Sequence, residues 1–253
     1  MRLRLLEPLG VVVEEVGLAE VDVEEARELL AMHGVLVLPE AGHAGDAAFV
    51  AFLRRFGPLA FTVGEVPLPG HPELNETRNT GRTTPPRSVF HVDTAYVSDP
   101  PAYTALRAVR VPERGGATVF SDQVRAAETL PTALREQVAG LTLTHVATGV
   151  ADRSSAEHPL LRPHPRTGRV ALFLDAPERC AAVSGLDPAE SRQLVTALLA
   201  HATAPANLYR HHWHLGDVVM WDNGLVMHRA EHEDAVGERV LHRGMVAGYS
   251  AMA

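Results

Sequence analysis

The chain has 253 residues, a formal net charge of −8 and 46% apolar residues. That length suits one hydrophobic core, and all-β barrels reach it as a single domain, so residues 1–253 are read as one domain. The acidic balance argues against nucleic acid as the main partner, and no stretch approaches the roughly 18 consecutive apolar residues of a membrane span.

In chain order, Met1-Arg2-Leu3-Arg4 is charged too early for a signal peptide. Asp22 to Met32 has helical periodicity, with Val23, Ala26, Leu29 and Leu30 as its apolar stripe. Val35 to Leu38 reads as a short strand. Asp46 to Phe56 reads as a second helix, with Phe49, Phe52, Leu53 and Phe56 on one side. Pro67 to Arg87, rich in Pro, Gly, Thr and Arg, reads as a loop. Strands are then expected around Phe90–Thr94, Tyr103–Val109, Thr118–Phe120, Leu141–Val146, Val170–Leu174, Val218–Trp221 and Arg239–Ala247. Asp187 to His201 reads as a helix opened by Asp-Pro. The single cysteine, Cys180, excludes an internal disulfide framework and fits a reducing cytoplasm.

The chemistry concentrates in few residues. His91 and Asp93 are separated by Val92 in Phe90-His91-Val92-Asp93, and His228 lies far downstream beyond Trp221-Asp222-Asn223. On a strand, His91 and Asp93 would point the same way. Two imidazoles and one carboxylate form the facial set that holds non-heme Fe(II) with positions left open. Arg239 and Thr118 supply a guanidinium and a hydroxyl, which together suit the far carboxylate of a keto acid chelating that iron. The same ligand set also serves catalytic zinc, so a zinc-dependent hydrolase is one alternative, and a non-catalytic jelly-roll binding protein is another. His211, His212 and His214 are too close in sequence to share a metal from one strand and are assigned surface or supporting roles.

These motifs occur in an order that resembles the taurine dioxygenase (TauD/TfdA) family of Fe(II)- and 2-oxoglutarate-dependent oxygenases. The matching stretches are Phe90-His91-Val92-Asp93, Pro100-Pro101, Gly115-Gly116-Ala117-Thr118, His158-Pro159, His164-Pro165 with Gly168, Gly216-Asp217 and Trp221-Asp222-Asn223. His228, Arg239 and Arg243 complete the series. The resemblance implies a mainly β double-stranded β-helix, a jelly-roll barrel flanked by helices. It implies that His91, Asp93 and His228 bind Fe(II), and that Thr118 and Arg239, with Trp221 packing nearby, bind 2-oxoglutarate. O2 is then the oxidant, and an unactivated carbon is oxidised by hydrogen abstraction with release of succinate and CO2. Asp93 favours hydroxylation or desaturation over halogenation, because related halogenases lack this carboxylate. His158 and His164 would shape the barrel. A cytoplasmic homodimer or homotetramer is the corresponding expectation.

The resemblance also places Arg243 toward the substrate, which implies an anionic substrate. Thr94 and Phe173 fall near family substrate contacts. Three departures speak against taurine. Thr62 and Glu65 stand where taurine enzymes carry His and Tyr, Arg87 stands near a position often occupied by Asn, and the span between His145 and His158 is short. A short lid suits a bulky or carrier-protein-bound substrate better than a small free sulfonate, unless the Pro67–Arg87 segment covers the opening. Gly224 replaces an Arg that often follows Trp-Asp-Asn.

Overall fold

A computed structural model describes residues 2–62, 64–80, 88–148 and 154–252. Its largest sheet runs, in spatial order, through Arg2–Leu5, Val11–Glu14, Val35–Leu38, Val218–Asp222, Tyr103–Arg110, Val240–Val246, His71–Arg78 and Pro67–Leu68, with Leu59–Ala60 beside Val240–Val246. All neighbours are antiparallel except Val11–Glu14 with Val35–Leu38. A smaller sheet, Leu208–His211, Thr118–Asp122 and Val226–Ala230, lies against it. The facing sheets make the expected jelly roll. A hairpin of Thr142–Val146 and Ser155–Pro159, joined by Cys180–Val183, and the pair Leu161–Pro163 with Val170–Leu172 complete the β structure described.

Strand alternation sorts the side chains into layers. Val218 and Met220 point outward into an apolar cluster under the helices Val23–His33 and Gly45–Arg54, with Leu30, Phe49, Phe52 and Phe56. Val219 and Trp221 point inward and meet Phe120, Leu106 and Leu241 between the sheets. A third layer, with Leu143, Leu160, Phe173, Leu194 and Leu198, backs the smaller sheet under the helix Pro188–Ala202. Asp187 caps that helix and Glu190 returns to the Asp187 amide, so the Asp-Pro start forms a full capping box.

The two first helices, Val35–Leu38 and the central strands stand within a residue or two of expectation. Two readings are corrected. Pro67–Arg78 is not a loop: Pro67–Leu68 and His71–Arg78 are strands, because Asn75 to Arg78 finds a ladder partner in Val240–Arg243. Residues 81–87 of that span lie outside the described residues. Phe90–Thr94 is not a strand: His91 makes one bridge, to His228, and the chain turns from Asp93 to Tyr96. Local composition favoured a strand there; a turn with Thr94 at φ +46° won.

Candidate active site

His91 and His228 meet through the main chain before their rings meet. Each donates its amide to the other's carbonyl at 3.0 Å, which sets the ring centroids 4.3 Å apart. His228 lies on Val226–Ala230, the remote strand expected for the third ligand, though its bounds were not read from the sequence. The Asn223-Gly224 corner was its signal, since it ends one apolar run and begins another. Asp93 reaches the two imidazoles through the turn rather than through strand alternation. Its Oδ1 lies 3.7 Å from His91 Nε2 and its Oδ2 lies 3.9 Å from His228 Nε2. The three ligand atoms all fall within 4.8 Å of one another, a cluster that could hold a metal ion.

The surrounding groups prepare those atoms for coordination. The Val89 carbonyl accepts from His91 Nδ1 at 2.9 Å, which leaves the Nε2 lone pair facing Asp93. Burial, reinforced by His91, pushes the His228 imidazole down to about 3, so the ring is neutral and can donate a lone pair. Burial alone would raise the Asp93 carboxyl; the Arg243 guanidinium facing Oδ1 outweighs it and holds the group well below the usual carboxylate range. Thr104 donates to Asp93 Oδ2 at 2.8 Å. Asn223 donates to Thr104 at 2.9 Å, and Trp221 Nε1 donates to Asn223 at 3.0 Å. The Trp-Asp-Asn motif thus fixes the orientation of the carboxylate. Its middle residue does different work: Asp222 pairs with His164 Nε2 at 3.0 Å and accepts from Tyr249. A Cβ on Gly224 would stand 3.2 Å from Asp222 Oδ1 and 3.4 Å from the Tyr249 hydroxyl, so this cluster leaves little room for a side chain there. His158 Nε2 spans the carbonyls of Ala95 and Val97 at 3.0 Å each, pinning the turn that carries Asp93.

Thr118 and Arg239 come together on the inner wall. Arg239 donates to Thr118 Oγ1 at 3.0 Å and to the Gly116 carbonyl at 2.8 Å. Its side chain is among the largest fully buried ones, and burial pulls the guanidinium down to about 10. Among the described residues no carboxylate pairs with it. The indole beside this pair is Trp213, which donates to Thr118 at 3.1 Å and lies under the Arg239 guanidinium. Trp221 instead packs on the His228 ring, with centroids 4.5 Å apart. Sequence reasoning missed Trp213; its place just before the Gly216-Asp217 turn was the only hint.

Arg243 projects from the same inner face of Val240–Val246 and donates to Asp93 Oδ1 at 3.3 Å, Asn75 Oδ1 at 3.1 Å and Thr62 Oγ1 at 3.4 Å. Glu65 Oε1 lies 3.2 Å from Arg243 Nη2. A cleft of about 260 Å³ opens beside Thr62, Thr94, Tyr96, Val97 and Met245. Phe173 does not line it. That ring is covered in the layer behind, between His145, His158 and Arg162. Arg87 lies outside the described residues.

A family profile described as "Taurine catabolism dioxygenase TauD, TfdA family" matches residues 4–245. The chain belongs to the TauD/TfdA family. It is 32% identical over 267 aligned positions to an alpha-ketoglutarate-dependent 2,4-dichlorophenoxyacetate dioxygenase of Cupriavidus pinatubonensis, covering 91% of this chain and 92% of that protein. It is 30% identical to pentalenolactone F synthase of Streptomyces arenae, over 93% and 91% of the two chains. A crystal structure of a taurine dioxygenase from Burkholderia xenovorans superposes with a TM-score of 0.83 at 31% identity, over 98% of this chain and 90% of that one. The family reaction uses Fe(II), 2-oxoglutarate and O2. The protein is therefore an oxidoreductase, not the zinc hydrolase or the non-catalytic barrel that the ligand set alone left open. No helix among the described residues is long and apolar enough to cross a membrane.

Proposed function

We propose that His91, Asp93 and His228 hold ferrous iron, that Arg239 and Thr118 seat the distal carboxylate of 2-oxoglutarate, and that Arg243 orients a small substrate by its anionic group. One observation carries this reading: a buried guanidinium with no carboxylate partner among the described residues stands on the inner wall shared with three convergent metal ligands. A buried cation left without a counter-ion is costly, and a dicarboxylate removes that cost. When bound, iron and 2-oxoglutarate supply, with O2, the oxidising equivalent that abstracts hydrogen from an unactivated carbon, and succinate and CO2 are released.

The chain's own part is placement. Thr104, itself held by Asn223, keeps Asp93 in one rotamer. The Val89 carbonyl keeps His91 in one tautomer. Trp221, Phe120 and Leu241 line the interior with apolar surface that excludes water. Support for an anionic group on the substrate comes from the inward Arg243 and from relatives named for phenoxyacetate and sulfate ester substrates. The cytoplasm is the proposed compartment, in keeping with the lone Cys180, whose thiol burial pushes up to about 12.

The test has two stages. Anaerobic addition of Fe(II) and 2-oxoglutarate is expected to give a weak visible absorption band, lost in Asp93→Ala. A panel of small acids is then screened for substrate-stimulated succinate release. A wild-type protein that gives no band, in either order of addition, refutes the assignment of ligands.

A further inference from the structure

The contacts of Arg243 carry a second conclusion, which rests on the reading above. A guanidinium offers five N–H donors. Four acceptors already face this one: Asn75 at Nε, Asp93 at Nη1, and Thr62 and Glu65 at Nη2. The Glu65 carboxylate is itself fixed, because its Oε2 accepts from Asn75 Nδ2 at 2.8 Å while Oε1 faces Arg243. It brings a negative charge to the site that is meant to receive an anionic group.

The charges of the loaded site then sum to zero: the metal dication, Arg239 and Arg243 offset the 2-oxoglutarate dianion, Asp93 and Glu65, and Arg243 touches both of those carboxylates. An incoming group carrying only negative charge finds no uncompensated cation. It meets one spare N–H of Arg243 with a carboxylate beside it, and a like-charge juxtaposition of this kind disfavours binding. A substrate carrying an acid and an ammonium closes the set, with the acid on Arg243 and the ammonium on Glu65. Since Glu65 and Arg243 are in contact, those two substrate charges must be only a few bonds apart.

We propose that Glu65 is a specificity-determining residue that selects a zwitterionic substrate, in which an ammonium accompanies the acid held by Arg243. Three probes of one carbon skeleton test this: L-norvaline, pentanoate and pentylamine. Binding is measured by calorimetry on protein loaded with Mn(II) and 2-oxoglutarate, so no turnover is needed. Wild-type protein is expected to bind the amino acid about tenfold or more tightly than either partial analogue. Glu65→Gln should remove that preference by weakening the amino acid and strengthening pentanoate. Glu65→Lys should invert it. Melting curves check that both variants fold, and Glu65→Asp, which keeps the charge, should retain the order. Pentanoate binding wild type as tightly as norvaline overturns the proposal, as does a preference unchanged in a folded Glu65→Gln. Silence from all three probes in protein that still shows the Fe(II)–2-oxoglutarate band also overturns it. That band reports the iron and cosubstrate assignment independently, so failure of Glu65 as a selector is distinguishable from failure of the assigned function.

Discussion

At the scale of single residues, the site separates groups that bind from groups that hold the binders still. In the proposed function Arg239 belongs to the first kind. Charge-assisted hydrogen bonds are worth about 1.5–3 kcal/mol, roughly a ten- to hundredfold change in affinity. Arg239→Gln is therefore expected to raise the KM for 2-oxoglutarate by about that factor while metal binding persists, as read by titration of succinate production and by Mn(II) affinity. Thr104 belongs to the second kind. It touches no substrate in this reading, but it is completely buried and donates to Asp93. Thr104→Val keeps the shape and deletes the donor. Losses at such outer positions run about 10–100-fold in metal affinity. A Thr104→Val protein with unchanged metal affinity would show that Asp93 needs no external orientation.

At the scale of elements, the proposed metal site is assembled by a corner and a bridge. Asp222 ends a strand of the large sheet, Asn223-Gly224 turns, and Val226–Ala230 carries His228 onto the smaller sheet. One pair of main-chain hydrogen bonds then fastens His91 beside it. The helix Pro188–Ala202 lies behind the smaller sheet, away from this chemistry. Its capping box predicts a purely structural effect. Asp187→Ala should cost about 1 kcal/mol and lower Tm by roughly 2–4 °C, with kcat and KM unchanged. Calorimetry and steady-state kinetics on one preparation check both halves of that statement.

At the scale of the whole molecule, buried histidines tie stability to pH. His145 is buried with no partner on either ring nitrogen among the described residues, and burial, with His158 and Arg162 nearby, pushes it down to about 3. Above its unfolded value of about 6.5 the ring is neutral in both states and contributes no pH dependence. As pH falls through 6.5 the unfolded chain takes up a proton that the folded chain refuses, so stability is lost down to about 3. By pH 5 this amounts to about 2 kcal/mol. Urea unfolding at pH 7 and pH 5 should show the loss, and His145→Leu should flatten it. An equally steep dependence in that variant would move the effect to other groups such as His158, which burial also lowers.

The sequence by itself pointed to the ligand types and cosubstrate anchors proposed above and to most of the strands. Periodicity and motif order are local properties, and Asp22 and Asp187 cap their helices through amides two or three residues on. Only the tertiary structure decided how His91 and Asp93 converge, because a turn after a single long-range bridge replaces the strand that local composition favoured. It also decided that His71–Arg78 is a strand, since a ladder needs a partner 164 residues away in sequence at Thr77–Leu241. Trp213 beside Thr118 and Glu65 beside Arg243 were settled the same way. Contacts between remote segments leave no periodic trace in either segment, so they exist only once the sheets have closed.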